Sequence, residues 1–150
     1  MYMDIAMRLS EESHAVRLKV GAVFVSEDGV MSSGINGMPA DTTNVCEDKI
    51  SCTEAESTDK DEIGFFFLRT KAAVSHAEEN CYAKMLKQGV CAKNGTLFIT
   101  HSPCINCARL ILNSGTKCVY YAVDYKDAHG IYWLRENDVN VYNVNYLGIQ

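Results

Sequence analysis

The chain has 150 residues, with 14 Lys and Arg against 19 Asp and Glu, for a formal net charge of −5. That length suits a single domain, residues 1–150, with one sizeable core. The 47% hydrophobic and 22% charged fractions are those of an ordinary globular protein. An acidic balance with dispersed basic residues argues against a nucleic-acid polymer as partner, whereas a single nucleotide needs only one or two local cations. No apolar run reaches the ~18–20 residues of a membrane span. The opening Met1–Arg8 segment lacks the basic start and apolar stretch of a secretory signal. The expectation is a cytoplasmic chain with no membrane partner, in which seven cysteines point to metal ligation or buried thiols and not to a disulfide framework.

Residues 2–15 place Ile5 and Leu9 on one face and read as an amphipathic helix. Val20 to Val25 is a short apolar strand, Glu27-Asp28-Gly29 a hairpin turn, and Val30 to Asn36 the returning strand. Gly34-Ile35-Asn36-Gly37-Met38-Pro39 then starts a loop. The polar, acidic stretch 40–62 reads as a solvated loop, and Phe65-Phe66-Phe67-Leu68 after it reads as core or a subunit interface. Ser75 to Gly89 has the pattern of a helix, with Ser75 as N-cap, Gly89 as stop, and Ala77, Cys81 and Met85 spaced to face a sheet. From residue 96 onward the order is strand, helix, strand, helix, strand, with Ser102-Pro103 opening the first of these helices and Gly115 closing it. Strands joined by helices favour parallel pairing, here beside an N-terminal hairpin, so the fold class is α/β with a mixed sheet covered on both faces.

Two segments carry chemistry: His76-Ala77-Glu78 at the start of one helix and Pro103-Cys104-Ile105-Asn106-Cys107 at the start of the next long one. An imidazole and two thiolates form a ligand set suited to Zn²⁺, and a helix N-terminus favours the thiolate form. Three protein ligands leave a fourth position for water, the catalytic arrangement. Glu78, two residues beyond the histidine, is placed to exchange protons with that water. Two other readings stay open at this point. Cys104 and Cys107 could be a redox pair, or the site could be a closed structural one with Cys91, Cys118 or His101 as fourth ligand, which would leave Glu78 without a task.

The combined pattern H-x-E…P-C-x-x-C is the signature of zinc-dependent nucleobase deaminases. With His76-Ala77-Glu78-Glu79-Asn80, Thr100 to Arg109 and the G-x-N-G-x-P loop at 34–39, the chain resembles the deoxycytidylate deaminase family over most of its length. The resemblance implies a three-layer α/β/α sandwich with a five-stranded sheet and hydrolysis of dCMP to dUMP and ammonia, a step that feeds thymidylate synthesis. It also implies a homo-oligomer, often a hexamer, with dCTP and Mg²⁺ as activator and dTTP as inhibitor. Carried over by position, His76, Cys104 and Cys107 hold zinc, and water attacks C4 while Glu78 protonates N3 and then the leaving amine. The Ala77 N–H binds the base carbonyl, the Ser102 carbonyl holds the amine, and Asn36 binds the sugar hydroxyl.

Tyr125 is a candidate for packing on the base or sugar, and Arg17, Lys19 and Gly37 are candidates for binding a phosphate of substrate or effector. Three departures bear on this. Ile35 stands where the family has tyrosine, which touches the effector response. Glu79 replaces an apolar residue, either facing another subunit or perturbing Glu78. Cys46 and Cys52 could bind a second zinc or remain free thiols. The alternatives for function are another cytosine carrier (modified dCMP, dCTP or free cytosine) and a non-catalytic, zinc-stabilised nucleotide-binding protein.

Overall fold

The structure is a computed structural model that describes residues 1–51 and 66–145. Cys52, Phe65 and the acidic run Glu54 to Glu62 lie outside the described residues. The elements in chain order are α1 (Tyr2–Ser10), β1 (Gly21–Val25), β2 (Met31–Ile35), β3 (Glu47–Ser51), β4 (Phe66–Thr70) and α2 (Ala77–Gln88). They continue with β5 (Thr96–His101), α3 (Ile105–Asn113), β6 (Cys118–Val123), α4 (His129–Glu136) and β7 (Asn140–Asn143). Five strands form one sheet in the order β2-β1-β5-β6-β7. β1 runs antiparallel to both β2 and β5, while β5, β6 and β7 are parallel.

Alternation along the strands sorts side chains into two cores. Ala22, Phe24, Leu97, Ile99, Val119, Tyr121 and Val141 pack with α2, α3 and α4 on one face, whereas Val23 joins Met3 and Ala6 of α1 on the other, with Phe98 and Tyr120 beside them. The result is the α/β/α sandwich, with three helices on one face and one on the other. Ala77, Cys81 and Met85 are all buried against the sheet. Gly34 lets α2 come close to β2: a Cβ there would lie 2.3 Å from the Ala77 carbonyl and 2.4 Å from the Cys81 nitrogen. The start of α2 is thereby seated directly on β2.

The helix starts fall one or two residues later than the capping patterns place them. His76, not Ser75, caps α2, and the Glu79 carboxylate accepts the His76 N–H at 2.7 Å. Cys104, not Ser102, caps α3, its sulfur accepting the Cys107 N–H at 3.5 Å. The first helix ends at Ser10 and not at 15, and the backbone of 16–20 beyond it is held by tertiary partners: Glu47 accepts from Val16 and Arg17, and the Asn36 amide bonds Val20 and Leu18.

The larger correction concerns 40–62. Glu47–Ser51 is a strand, paired antiparallel with Phe66–Thr70 in a separate two-stranded sheet. Its residues have little intrinsic strand preference, so the pairing is a tertiary effect. Phe66 and Phe67 are 54% and 47% exposed, which removes them from the core of this chain, and Lys49 lies over the Phe66 ring at 4.8 Å.

Candidate active site

The parallel strands β5 and β6 end side by side, and the N-termini of α2 and α3 converge there, the usual place for a ligand site in an open α/β sheet. His76 immediately precedes α2, and Cys104 and Cys107 flank the first turn of α3. Their ligand atoms lie within 4.8 Å of one another, with Cys107 Sγ 3.3 Å and Cys104 Sγ 3.7 Å from His76 Nδ1. A tetrahedral ion with Zn–S of ~2.3 Å and Zn–N of ~2.0 Å asks for S···N separations of about 3.5 Å, so the triad fits zinc. Among the described residues no fourth His, Cys, Asp or Glu joins the cluster. Cys91, Cys118 and His101 therefore do not close the site, and the structural-zinc alternative loses its fourth ligand. Gly130 lets α4 press on this corner, since a Cβ there would lie 2.2 Å from the Pro103 carbonyl.

The metal-free electrostatics suit a dication. The Cys107 thiol and then the His76 imidazole hold Cys104 down to about 3, a stable thiolate, while the hydrogen bond to Cys104 raises His76 to about 9. The bond to Cys104 and burial push the Cys107 thiol up. A cation replaces the protons that the cluster otherwise shares. Glu78, 4% exposed, is pushed up to about 7 by burial, so its carboxyl sits near the pH at which a group both takes and returns a proton.

His76, Glu78 and Cys104 line an open cleft, with Cys107 buried behind it. Ala77, Asn36, Ser102 and Tyr125 also line it. Ala77 is the first residue of α2, where a helix N–H has no intrahelical acceptor. The Ser102 hydroxyl accepts the Tyr125 N–H at 2.8 Å, tying the second residue after β6 to the residue after β5. The Asn36 side chain holds the Val20 N–H at 2.8 Å and the Leu18 carbonyl at 2.7 Å, so it shapes the wall as well as facing the cleft.

Of the phosphate candidates, Arg17 reaches the wall residue Thr70, with Nη1 to Oγ1 at 3.3 Å. Lys19 instead donates to the Glu11 carbonyl at 3.1 Å, and Gly37 pairs its N–H and carbonyl with Ser75 at 3.1 and 2.9 Å. Gly37 thus steadies Ser75, the residue before His76. Ile35 has its carbonyl bonded by Asn80 at 2.7 Å, and Cys46 is buried.

Three polar wall residues, Glu47, Thr70 and His101, escaped the sequence reading as parts of the wall. Glu47 came from a stretch read as solvated loop, and nothing local marked it. His101 was considered only as a ligand, yet it lines the cleft with Nδ1 3.0 Å from Thr100 Oγ1, and burial lowers its pKa.

Residues 1–123 match the family model described as the cytidine and deoxycytidylate deaminase zinc-binding region. The chain belongs to that family. It is 29% identical over 169 residues to the deoxycytidylate deaminase of Enterobacteria phage T4, covering 95% of this chain and 87% of that protein. It is 30% identical over 122 residues to the deoxycytidylate deaminase of Mycobacterium phage D29, covering 80% and 90%. The solved structure of dCMP deaminase from the cyanophage S-TIM5 in complex with dCMP and dUMP is 34% identical, with a TM-score of 0.78 over 95% of this chain and 93% of that one. The deaminase fold is that expected from the motifs, and zinc is the cofactor that the family and the triad together support.

Proposed function

We propose that this chain hydrolyses dCMP to dUMP and ammonia. The observation that carries the reading is the open three-ligand cluster beside a buried carboxyl, in a cleft open to solvent. The similarity to the cyanophage enzyme, whose structure holds dCMP and dUMP, supports the nucleotide as substrate.

His76 Nδ1, Cys104 Sγ and Cys107 Sγ would hold zinc. When bound, zinc supplies Lewis acidity that lowers the pKa of water in the open position towards ~7. The chain's own residues do the rest. Glu78 takes a proton from the attacking water as its oxygen bonds to C4 and delivers that proton to N3. It then carries the second proton to the 4-amino group, the C4–N bond breaks, and ammonia leaves. Burial keeps Glu78 out of bulk water, so both transfers pass through this one carboxyl. The Ala77 N–H faces the base carbonyl, the Ser102 carbonyl accepts from the amine, Asn36 contacts the sugar, and Tyr125 packs beside it.

The 5′-phosphate needs a cation, and Arg17 is the candidate tied to the cleft wall. The reading also includes a single domain over 1–150, cytoplasmic location, a homo-oligomer, and control by dCTP with Mg²⁺ and by dTTP.

A substrate panel tests this: dCMP, CMP, dCTP, deoxycytidine, free cytosine and 5-hydroxymethyl-dCMP, each with and without Mg²⁺–dCTP and dTTP. The expected result is the highest kcat/KM for dCMP. Preference for a triphosphate, a nucleoside or the modified base would replace the monophosphate assignment. Rate curves indifferent to both effectors would remove the regulatory part.

A further inference from the structure

We infer that Glu47 is a positioning residue that sets Arg17 to receive the 5′-phosphate, so that the β3–β4 hairpin provides the discrimination between a nucleotide and a nucleoside. The inference rests on the dCMP reading above.

Glu47 is 8% exposed, lines the cleft, and forms no ion pair among the described residues. A buried carboxylate without a cation persists only where hydrogen bonds hold it. Here Oε1 accepts the backbone N–H of Val16 at 2.8 Å and of Arg17 at 3.1 Å. The main chain of Arg17 is therefore clamped from β3. Its side chain is held from β4, because Thr70 is the cross-strand partner of Glu47 and accepts Nη1 at 3.3 Å. One pair of facing hairpin residues thus fixes both ends of the same arginine.

The charge distribution gives that arrangement a purpose. No Lys or Arg lines the cleft among the described residues, whereas Glu47 and Glu78 do. A phosphate entering such a cleft is repelled unless a cation stands at its rim. Lys19 is turned towards the end of α1, and Lys71 is paired with Asp48 at 3.8 Å. Arg17 uses one of its five N–H donors on Thr70, which leaves a planar fork suited to phosphate.

The test measures kcat/KM for dCMP and deoxycytidine, and calorimetric affinities for dUMP and deoxyuridine, in wild type, Glu47→Ala, Glu47→Gln and Thr70→Val. Glu47→Ala should lower kcat/KM for dCMP about tenfold or more, mainly through KM, and weaken dUMP by a similar factor; the two nucleosides should change by no more than about threefold. Glu47→Gln keeps an oxygen acceptor for the two N–H groups and should restore most of the discrimination, while Thr70→Val should lose part of it. Equal losses on nucleotide and nucleoside would make Glu47 a structural clip and overturn the inference. So would a folded Glu47→Gln that behaves like Glu47→Ala, since charge and not acceptor geometry would then matter. If Glu47→Ala does not fold, judged by its melting curve, an unchanged nucleotide preference in Thr70→Val overturns it instead. A wild type that treats dCMP and deoxycytidine alike defeats the dCMP reading itself.

Discussion

The metal corner and the hairpin wall of the cleft are held by different kinds of structure. At the corner, three ligands come from two helix starts, each within a few residues of its partner motif, and the surrounding atoms are buried by α2, α3, α4 and the sheet. At the wall, Glu47, Thr70 and Arg17 come from three separate segments, joined by single hydrogen bonds, with exposed aromatics alongside. Local sequence encodes the first arrangement; long-range pairing creates the second. The corner should accordingly respond to substitution by losing chemistry outright, and the wall by grading substrate preference.

The sharpest way to break the comparison is at the ligands. Cys104→Ala removes one of three donors and also the cap of α3. Elemental analysis should find the zinc content reduced to a small fraction of one ion per chain, with turnover at background. Full zinc retention would detach Cys104 from the metal. Glu78→Gln comes next. It should keep zinc and the melting curve but lose turnover by roughly 10²–10⁴-fold, the usual worth of general acid–base catalysis. Near-normal turnover would take the proton transfer away from Glu78.

This asymmetry explains what could be read from the chain in advance. His76, Glu78, Cys104 and Cys107 announce themselves because ligand geometry at a helix start demands close spacing, and the strand-helix alternation after residue 96 follows from side-chain periodicity. Helix ends were harder: His76 and Cys104 replace the nearby serines as caps because the ligands themselves occupy the cap positions. Glu79, which looked out of place beside the acid Glu78, closes the first turn of α2 on the His76 N–H. Strand β3 was not legible. Glu-Asp-Lys-Ile-Ser has no apolar period, and only its partner β4 and the Val16 and Arg17 amides make it a strand. The same long-range origin hid Glu47.

A smaller effect probes how the corner is seated. Gly34→Ala places a methyl group against backbone atoms of Ala77 and Cys81, neither of which can yield without moving α2. The expected cost is about 1–3 kcal/mol of stability, read as a lower urea midpoint, together with weaker zinc retention in a chelator competition. A loss of stability with zinc affinity intact would mean that the start of α2 can shift as a unit with the ligands.

The smallest effect is set by His101, the last residue of β5, which stands at the cleft between corner and wall. Its pKa is lowered from the ordinary 6.5 because burial disfavours the charged ring. Thr100 Oγ1, 3.0 Å from His101 Nδ1, also accepts the Gly21 N–H at 3.2 Å, so its own proton is free to point at the ring nitrogen and hold it neutral. Well above pH 6.5 the ring is neutral whether the chain is folded or unfolded and adds no pH dependence. As pH falls through that value, the unfolded chain binds a proton that the folded ring refuses, and stability is lost progressively down to the folded pKa. Urea denaturation of wild type and His101→Gln between about pH 7.5 and 5.5 isolates this contribution, since the other titrating groups are common to both. Wild type should lose stability relative to the variant on acidification. The opposite sign would mean that the folded ring carries charge, and would make His101 a cation of the cleft in competition with Arg17 for the phosphate.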